Sequence, residues 1–519
     1  VMPDWNPAEI IGIKPKRLAF SLYKEFVTDE IWAYQRDNYG YRNLRSFPLL
    51  VSFLGVPYVD VRVSFNSFIP KNLNDKISLK LVEHYLDELF LNEDFHDKIE
   101  FEIVFSCYYF GIHKKLIKLK KKNFTDNEIK LIEIELKKIT NSIIDKKNGL
   151  CKSDLKKIEI LKDKYDSIVN SNLSIIDKIY WLTEDCKRYG TLPFAGIARA
   201  AFVAIQFLNS FVEEGILTTN EKNTFLNSIE TISKKLNLDR KNLSKKNFLN
   251  IYGHLRPGTY DICSKRYDEG YDEYFSEKIH EIKHVNFEFS KKQRNQIQKL
   301  INLNGLNCDF YELIDFIKSS IEGREYSKFI FTKHLSKILS LIEEFGFKFG
   351  FSKEDLANLD FQKIKNLYST LDHRNVSDIF DEDIKKNKNF YKYTTAVKLP
   401  NQISSEEDIY KFFLRRNEAN FVTNNNITAK VLDLDFAKKK IFQGRIICIK
   451  SADPGYDYIF SKNIRGLITC YGGANSHMSI RCAELGLPAV IGCGEYLFDK
   501  YKKANLINID AANKKVTII

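Results

Sequence analysis

One stretch limits what this chain can fold into more than any other: GLITCYGGANSHMSIRCAELGLPAVIGCGE, Gly466–Glu495. Gly466–Thr469 opens it as a short apolar run of the kind that forms a buried strand. Gly472 and Gly473 permit a sharp turn with positive φ and a close backbone approach. Asn475 or Ser476 then caps a helix whose apolar positions are Met478, Ile480, Cys482 and Leu485. Gly486 ends that helix, Pro488 blocks its resumption, and Ala489–Ile491 supplies a second buried strand. The segment is a strand–helix–strand unit with His477 in the first turn of its helix.

That position has chemical consequences. The first turn carries unpaired backbone N–H groups and the positive end of the helix dipole, which favour an anion such as a phosphoryl group. Amides of Gly472 and Gly473 add donors around it. A neutral imidazole, with an ordinary pKa of about 6.5, is a competent nucleophile towards phosphorus near neutral pH. The bland alternative is a capping or core histidine with no chemistry.

The rest of the chain sets the context. At 519 residues it is too long for one core, and 44% apolar residues give ample material for burial. The net charge of +12 is a mild excess. Its densest block, His113–Lys122, opens a Lys-rich helical hairpin (about 113–165) in which Glu and Asp are interleaved at solvated spacings such as Glu133–Lys137 and Asp154–Lys157. A solvated hairpin explains the charge better than nucleic-acid binding does. Nine scattered cysteines without a CxxC pair argue against a disulfide framework or structural zinc and for a reducing, cytoplasmic setting. No apolar run long enough for a membrane span stands out. Val precedes Met2 without a signal-peptide pattern, which suits a record that starts inside a longer protein.

Residues 1–110 read as extended segments and turns. Val59, Val61, Val63 and Phe65 alternate with Asp60, Arg62, Ser64 and Asn66, a period of two that predicts a strand with one polar face. Helical periodicity follows to about Asn250. A loop covers Tyr252–Glu269, and more helix runs through Ser377. The charged stretch Asp381–Phe390 reads as a linker (381–394), and short β-like runs at Ala429–Leu434, Gly444–Ile449, Gly466–Thr469, Ala489–Ile491 and Val516–Ile519 make residues 395–519 a compact α/β unit. The expected class is therefore multidomain α+β, a mostly helical body (1–380) followed by that unit.

The His477 segment resembles the mobile phosphohistidine domain of the phosphoenolpyruvate-utilising enzymes. The likeness rests on Gly472, Gly473, Ser476, His477, Gly486, Leu487, Pro488, Ala489, Val490, Ile491 and Gly492, with SADPGYDYIF (Ser451–Phe460) upstream. Ser479 stands where Ala is usual, and Ala483 where an Arg often precedes Glu; Arg481 offers that charge one helix position away. Three body segments extend the likeness towards the rifamycin phosphotransferases: YGHLRPGTYDI (Tyr252–Ile262), GTLPFAGIARAAFVA (Gly190–Ala204) and EGREYSKFIFTKHLSKIL (Glu322–Leu339). PDWNPAEIIG (Pro3–Gly12) and Tyr39–Pro70 resemble a narrower group, the L-glutamine kinases of capsule phosphoramidate synthesis.

The resemblance implies a swivelling domain whose His477 is phosphorylated from ATP and Mg2+ held on an ATP-grasp domain that this chain does not offer, in cis or in trans, with release of AMP and phosphate. No metal cluster is read in the chain itself. The acceptor it implies is a small molecule, L-glutamine at its amide nitrogen; a rifamycin-type antibiotic, pyruvate, or a non-catalytic phosphocarrier are the alternatives. Gly472, Gly473, Ser476 and Arg481 are its expected phosphate supports. For the acceptor, Arg45 and Arg62 are candidate carboxylate clamps, Ser64 and Asn66 share the strand face of Arg62, and His254, Arg256 and Asp261 lie in a Gly/Pro-shaped loop. Arg324 is a further candidate, with a surface pair to Glu325 as its bland reading.

Overall fold

A computed structural model describes the chain except for residues 4, 93–94, 96–97, 276–285, 369–374, 401, 411–418, 435–440 and 475. The body is built on a 38-residue helix, Phe310–Phe347, started by a reciprocal capping box between Asp309 and Glu312. Against it lies the apolar helix Leu192–Glu213, whose Ile197, Ala200, Val203, Ala204, Phe207 and Phe211 are fully buried. Small residues at this contact let the helices approach closely; a Cβ on Gly190 would strike Phe331 at 2.9 Å. The stretch Ile175–Glu213 is long and apolar enough to cross a membrane by composition, but 67% of its most apolar 18-residue window is buried inside the body, so packing against neighbouring helices accounts for its character.

The Lys-rich hairpin is two antiparallel-spaced helices, Asp126–Ile144 and Leu150–Val169, each with an apolar stripe inward and lysines outward. Lys157 pairs with Asp154 at 2.9 Å as its spacing predicts, whereas Glu133 pairs with His113 and Lys137 stacks on Tyr108.

Two local expectations are corrected. Residues 1–110 are mainly helical, with one hairpin, β1 (Leu50–Phe53) and β2 (Val56–Val59). After Val59 the chain turns into a helix, Val61–Asn66, because the Asp60 side chain accepts the Val63 N–H as an N-cap. Val61 and Phe65, four apart, are buried on one helical face, a spacing that a period of two also satisfies. Arg62, Ser64 and Asn66 therefore lie on a helix and share no strand face. The expected linker is also helical: Val376–Ala396 is one 21-residue helix. Ile379, Phe380, Asp383 and Ile384 face the body, the Tyr391 hydroxyl donates to Lys14 O and Thr394 to Leu54 O, so the charged run is the solvent side of a docked helix.

The C-terminal unit carries a seven-stranded sheet of β3 (Asn420–Val422), β4 (Asn426–Asp433), β5 (Ile446–Ser451), β6 (Gly466–Tyr471), β7 (Ala489–Ile491), β8 (Leu506–Asp510) and β9 (Lys515–Ile518), ordered β3-β7-β6-β5-β4-β8-β9. The central pairs β4–β5, β5–β6 and β6–β7 are parallel and the outer pairs antiparallel. Its buried strands β6 and β7 flank the His477 helix, which places that helix at the carboxyl end of the parallel strands, where open α/β sheets bind ligands.

Candidate functional site

The turn at the end of β6 is dictated by space. Gly472 has φ +137°, and a Cβ there would lie 2.7 Å from the Ala452 methyl. Ser476 follows as N-cap, accepting from the Ser479 N–H at 3.2 Å, and His477 is the first residue of the helix His477–Glu484. Gly486 (φ +62°) ends that helix, and the Leu487 N–H returns to Cys482 O. Asn475, the other candidate cap, lies outside the described residues. Gly473 uses its carbonyl to accept from the Ser476 N–H.

The imidazole of His477 points at the body. Its Nε2 donates to Asp457 Oδ1 at 2.7 Å, and Nδ1 lies 4.0 Å from Glu325 Oε1 on the long helix. Asp457 also accepts from Ser233 of the body. Burial pushes the imidazole pKa down, but the Asp457 carboxylate, its hydrogen bond and Glu325 outweigh that and raise it above the ordinary value. Burial likewise acts to raise the Asp457 carboxyl, and His477, Arg481 and Ser233 hold it below its usual range. The Asp457 hydrogen bond, with the Glu325 carboxylate nearby, thus favours the protonated form of the imidazole.

The docking is specific. Asp453, 1% exposed, caps its own turn through the Gly455 N–H (2.7 Å) and accepts from Gly258 N–H in the body loop (3.2 Å). Gly455 meets that loop so closely that a Cβ would lie 2.1 Å from Arg256 O. Tyr267 donates to Gly455 O, and Arg240 to Ser461. The segment around Trp5–Ile10 packs on β5 and β6, and brings Glu9 to the mouth of the His477 helix. Glu9 is 4% exposed and takes a hydrogen bond from the His477 backbone N–H, the donor that the sequence assigns to a phosphoryl group. Burial raises its carboxyl to about 7, against the pull of Lys328 and His477.

Between His477 and the body lies a cavity of about 70 Å³ lined by Ser233, His254, Arg256, Thr259, Glu325, Lys328, Phe329, Thr332, Ser336 and Asp457, with Ile232, Leu236 and Leu255 among its apolar walls. Burial lowers the Lys328 ammonium pKa, opposed by Asp453, Glu9 and Asp457. His254 stacks near Phe329 and its Nε2 meets Phe329 O at 3.3 Å; burial, with Lys333 nearby, drives its pKa to about 3, so it is neutral.

Of the acceptor candidates, the cavity gathers His254 and Arg256. Arg45 instead pairs with Asp37 and stacks on Tyr34, and Arg62 pairs with Glu83 with both side chains about half exposed. Asn66 donates to Arg62 O, Ser64 offers its carbonyl to Ser67, and Asp261 caps the Cys263 N–H; none of these lines the cavity. Arg324 is likewise outside the lining, one position from Glu325. Arg481 is 1% exposed, stacks over Phe460 and acts on Asp457, so it supports the histidine's partner from behind. Residue reasoning missed Glu9, Asp457, Lys328, Thr332 and Ser336. The spacing Glu325, Lys328/Phe329, Thr332, Ser336 marks one face of a helix, and that polar stripe was available as a signal.

This arrangement defines a class before it suggests a member. Residues 441–514 match the family model of the PEP-utilising enzyme, mobile domain. The chain is similar to the rifampicin phosphotransferase of Bacillus cereus, 23% identical over 255 residues, covering 47% of this chain and 27% of that protein. It is also similar to the rifampicin phosphotransferase of Bacillus subtilis (27% identical, 34% of this chain, 21% of that protein) and to the phosphoenolpyruvate synthase of Aeropyrum pernix (33% identical, 16% and 10%). The matches thus span about a quarter or less of these relatives' length. They support a PEP-utilising mobile domain at the C-terminus and a relation to the rifampicin phosphotransferases.

Proposed function

We propose that this chain is the carrier and acceptor-binding portion of a phosphotransferase, in which His477 receives a phosphoryl group and passes it to a small acceptor held in the body. The observation that carries the reading is the placement of His477 at a helix mouth, facing a cavity whose opposite wall holds Glu325 and Lys328. In the transfer step the nitrogen–phosphorus bond to His477 breaks as a bond forms from phosphorus to the acceptor atom. The acceptor proton passes to Glu325, the Lys328 ammonium offsets charge on the phosphoryl oxygens, and the freed imidazole regains a proton between Asp457 and Glu325.

The favoured acceptor is L-glutamine at its amide nitrogen, in a cytoplasmic, AMP-forming kinase serving capsule phosphoramidate synthesis. What supports this acceptor is the likeness of Pro3–Gly12 and Tyr39–Pro70 to the L-glutamine kinases, together with the polar groups Ser233, His254, Thr332 and Ser336 on the cavity wall. In this reading ATP and Mg2+ belong to a nucleotide-binding domain acting in cis or in trans. The test charges the chain with phosphoramidate, a small phosphoryl donor, and adds L-glutamine, rifampicin or pyruvate. A new P–N phosphorus resonance with L-glutamine is expected. Discharge onto rifampicin or pyruvate instead moves the acceptor assignment, and discharge onto none leaves only a phosphocarrier.

A further inference from the structure

The first turn of the His477 helix already holds a carboxyl group from a distant part of the chain. Ser476 Oγ takes the Ser479 N–H, and the His477 N–H goes to Glu9. Glu9 is 4% exposed, and its second oxygen, Oε2, is buried without a partner. It arrives on Trp5–Ile10, a six-residue helix that packs on β5 and on β6, the strand that runs into the Gly472 turn. A carboxylate and a phosphoryl group ask the same of a helix start: a free N–H and the positive end of the dipole.

The surroundings are poor in places for a further negative charge. Among the described residues three carboxyl oxygens are buried without a partner, Glu9 Oε2, Glu325 Oε2 and Asp453 Oδ2, and each of these groups acts on Lys328 or His477. Asp457 completes the set, 2.7 Å from the imidazole. Like charges crowded in a buried site repel strongly, so a phosphoryl group added to the ring favours the departure of one of them. Three are tied down. Asp453 accepts from the Gly455 and Gly258 N–H groups, Asp457 from Ser233 as well as His477, and Glu325 stands on the 38-residue helix. Glu9 is carried by a short segment that bridges body and carrier. Met2 pairs with Val59 of β2 at 3.1 and 2.7 Å, the Ile403 N–H donates to Val1 O at 3.0 Å, and the helix that follows lies on the carrier sheet.

We propose that Glu9 holds the phosphoryl seat while His477 is unphosphorylated, and that Trp5–Ile10 is a latch on the carrier which phosphorylation of His477 releases. The latch rests on the reading of His477 as the phosphoryl carrier. A segment with only a packing role would hold the charged and uncharged carrier alike.

The experiment charges the full chain with phosphoramidate at about pH 8, above the Glu9 carboxyl value of about 7. The P–N bond of the donor breaks, ammonia leaves with its electron pair, and a lone pair of the imidazole forms the new bond to phosphorus. Hydrogen exchange over residues 5–12, where the Ile11 N–H donates to Pro7 O at 2.9 Å, should rise about tenfold in the charged parent. Labelling of His477 in Glu9→Gln, which keeps the size and loses the charge, should be about tenfold faster than in the parent. Glu9→Ala should match it, and serves if the Gln variant does not fold. A labelled parent whose exchange over 5–12 is unchanged, or variants that label no faster than the parent, overturns the latch and leaves the carrier. A parent that takes no label on His477 contradicts the carrier reading, and the latch falls with it.

Discussion

At the scale of single residues the account turns on three carboxyl groups around one imidazole. Asp457 and His477 both lie in the C-terminal unit, whereas Glu325 and Glu9 belong to the body side and to the N-terminal segment. Asp457→Asn should therefore lower the His477 pKa more than Glu325→Gln does, as read by imidazole titration in NMR; equal effects would contradict the assigned geometry. Glu9 makes a second prediction. Its folded pKa of about 7 lies above the usual carboxyl value, so the native state holds an extra proton between about 4.5 and 7 and stability falls as pH rises through that window. Glu9→Gln should remove that loss, stabilising the chain at pH 8 by on the order of 2–3 kcal/mol and hardly at pH 4.5, by denaturant melts at both pH values. His477 was legible from its glycine-led helix start, because that signal is local. Glu9, Lys328 and Asp457 were not, because they become site residues only when segments about 470 and 150 residues away, and the Asp-Pro-Gly turn, are folded against the histidine.

At the scale of elements, the sequence was most readable where one rule decided the outcome. Ala489–Ile491 is a strand over the span its apolar run marks, and Ser476, Gly486 and Pro488 bound the His477 helix as their chemistry requires. It was least readable where two periods agreed with one pattern, as in Val61–Asn66, or where a polar helix face imitated a linker, as in Val376–Ala396. The strands β3 and β8 were passed over because Asn420–Val422 is only three residues long and the apolar run of Leu506–Asp510 is interrupted by Asn508. The helical assignment of the charged run has a direct check. Lys386→Pro, at an exposed position mid-helix, should cost about 3 kcal/mol and lower the thermal midpoint by several degrees, whereas a true linker would accept it with little change.

At the scale of the whole molecule, the C-terminal unit is seen docked on the body, with His477 between Asp457 and Glu325. A carrier that serves two sites must leave this position, and the Asp453–Gly258, Tyr267–Gly455 and Arg240–Ser461 contacts are what it must break. Gly455→Ala probes that step without touching His477, because its new Cβ would collide with Arg256 O. The variant should still accept phosphate from phosphoramidate but deliver it at least tenfold more slowly, and hydrogen exchange in the Tyr252–Glu269 loop should rise. Unchanged transfer in that variant would mean that the docked arrangement is not the delivering one.

The most direct measurement is the location of the phosphoryl group. Incubating the full chain with phosphoramidate and mapping acid-labile phosphate by tandem mass spectrometry should place it on His477 alone, with His477→Asn folded and unlabelled. Label on another residue, or an equal label in the folded Asn variant, would contradict the account.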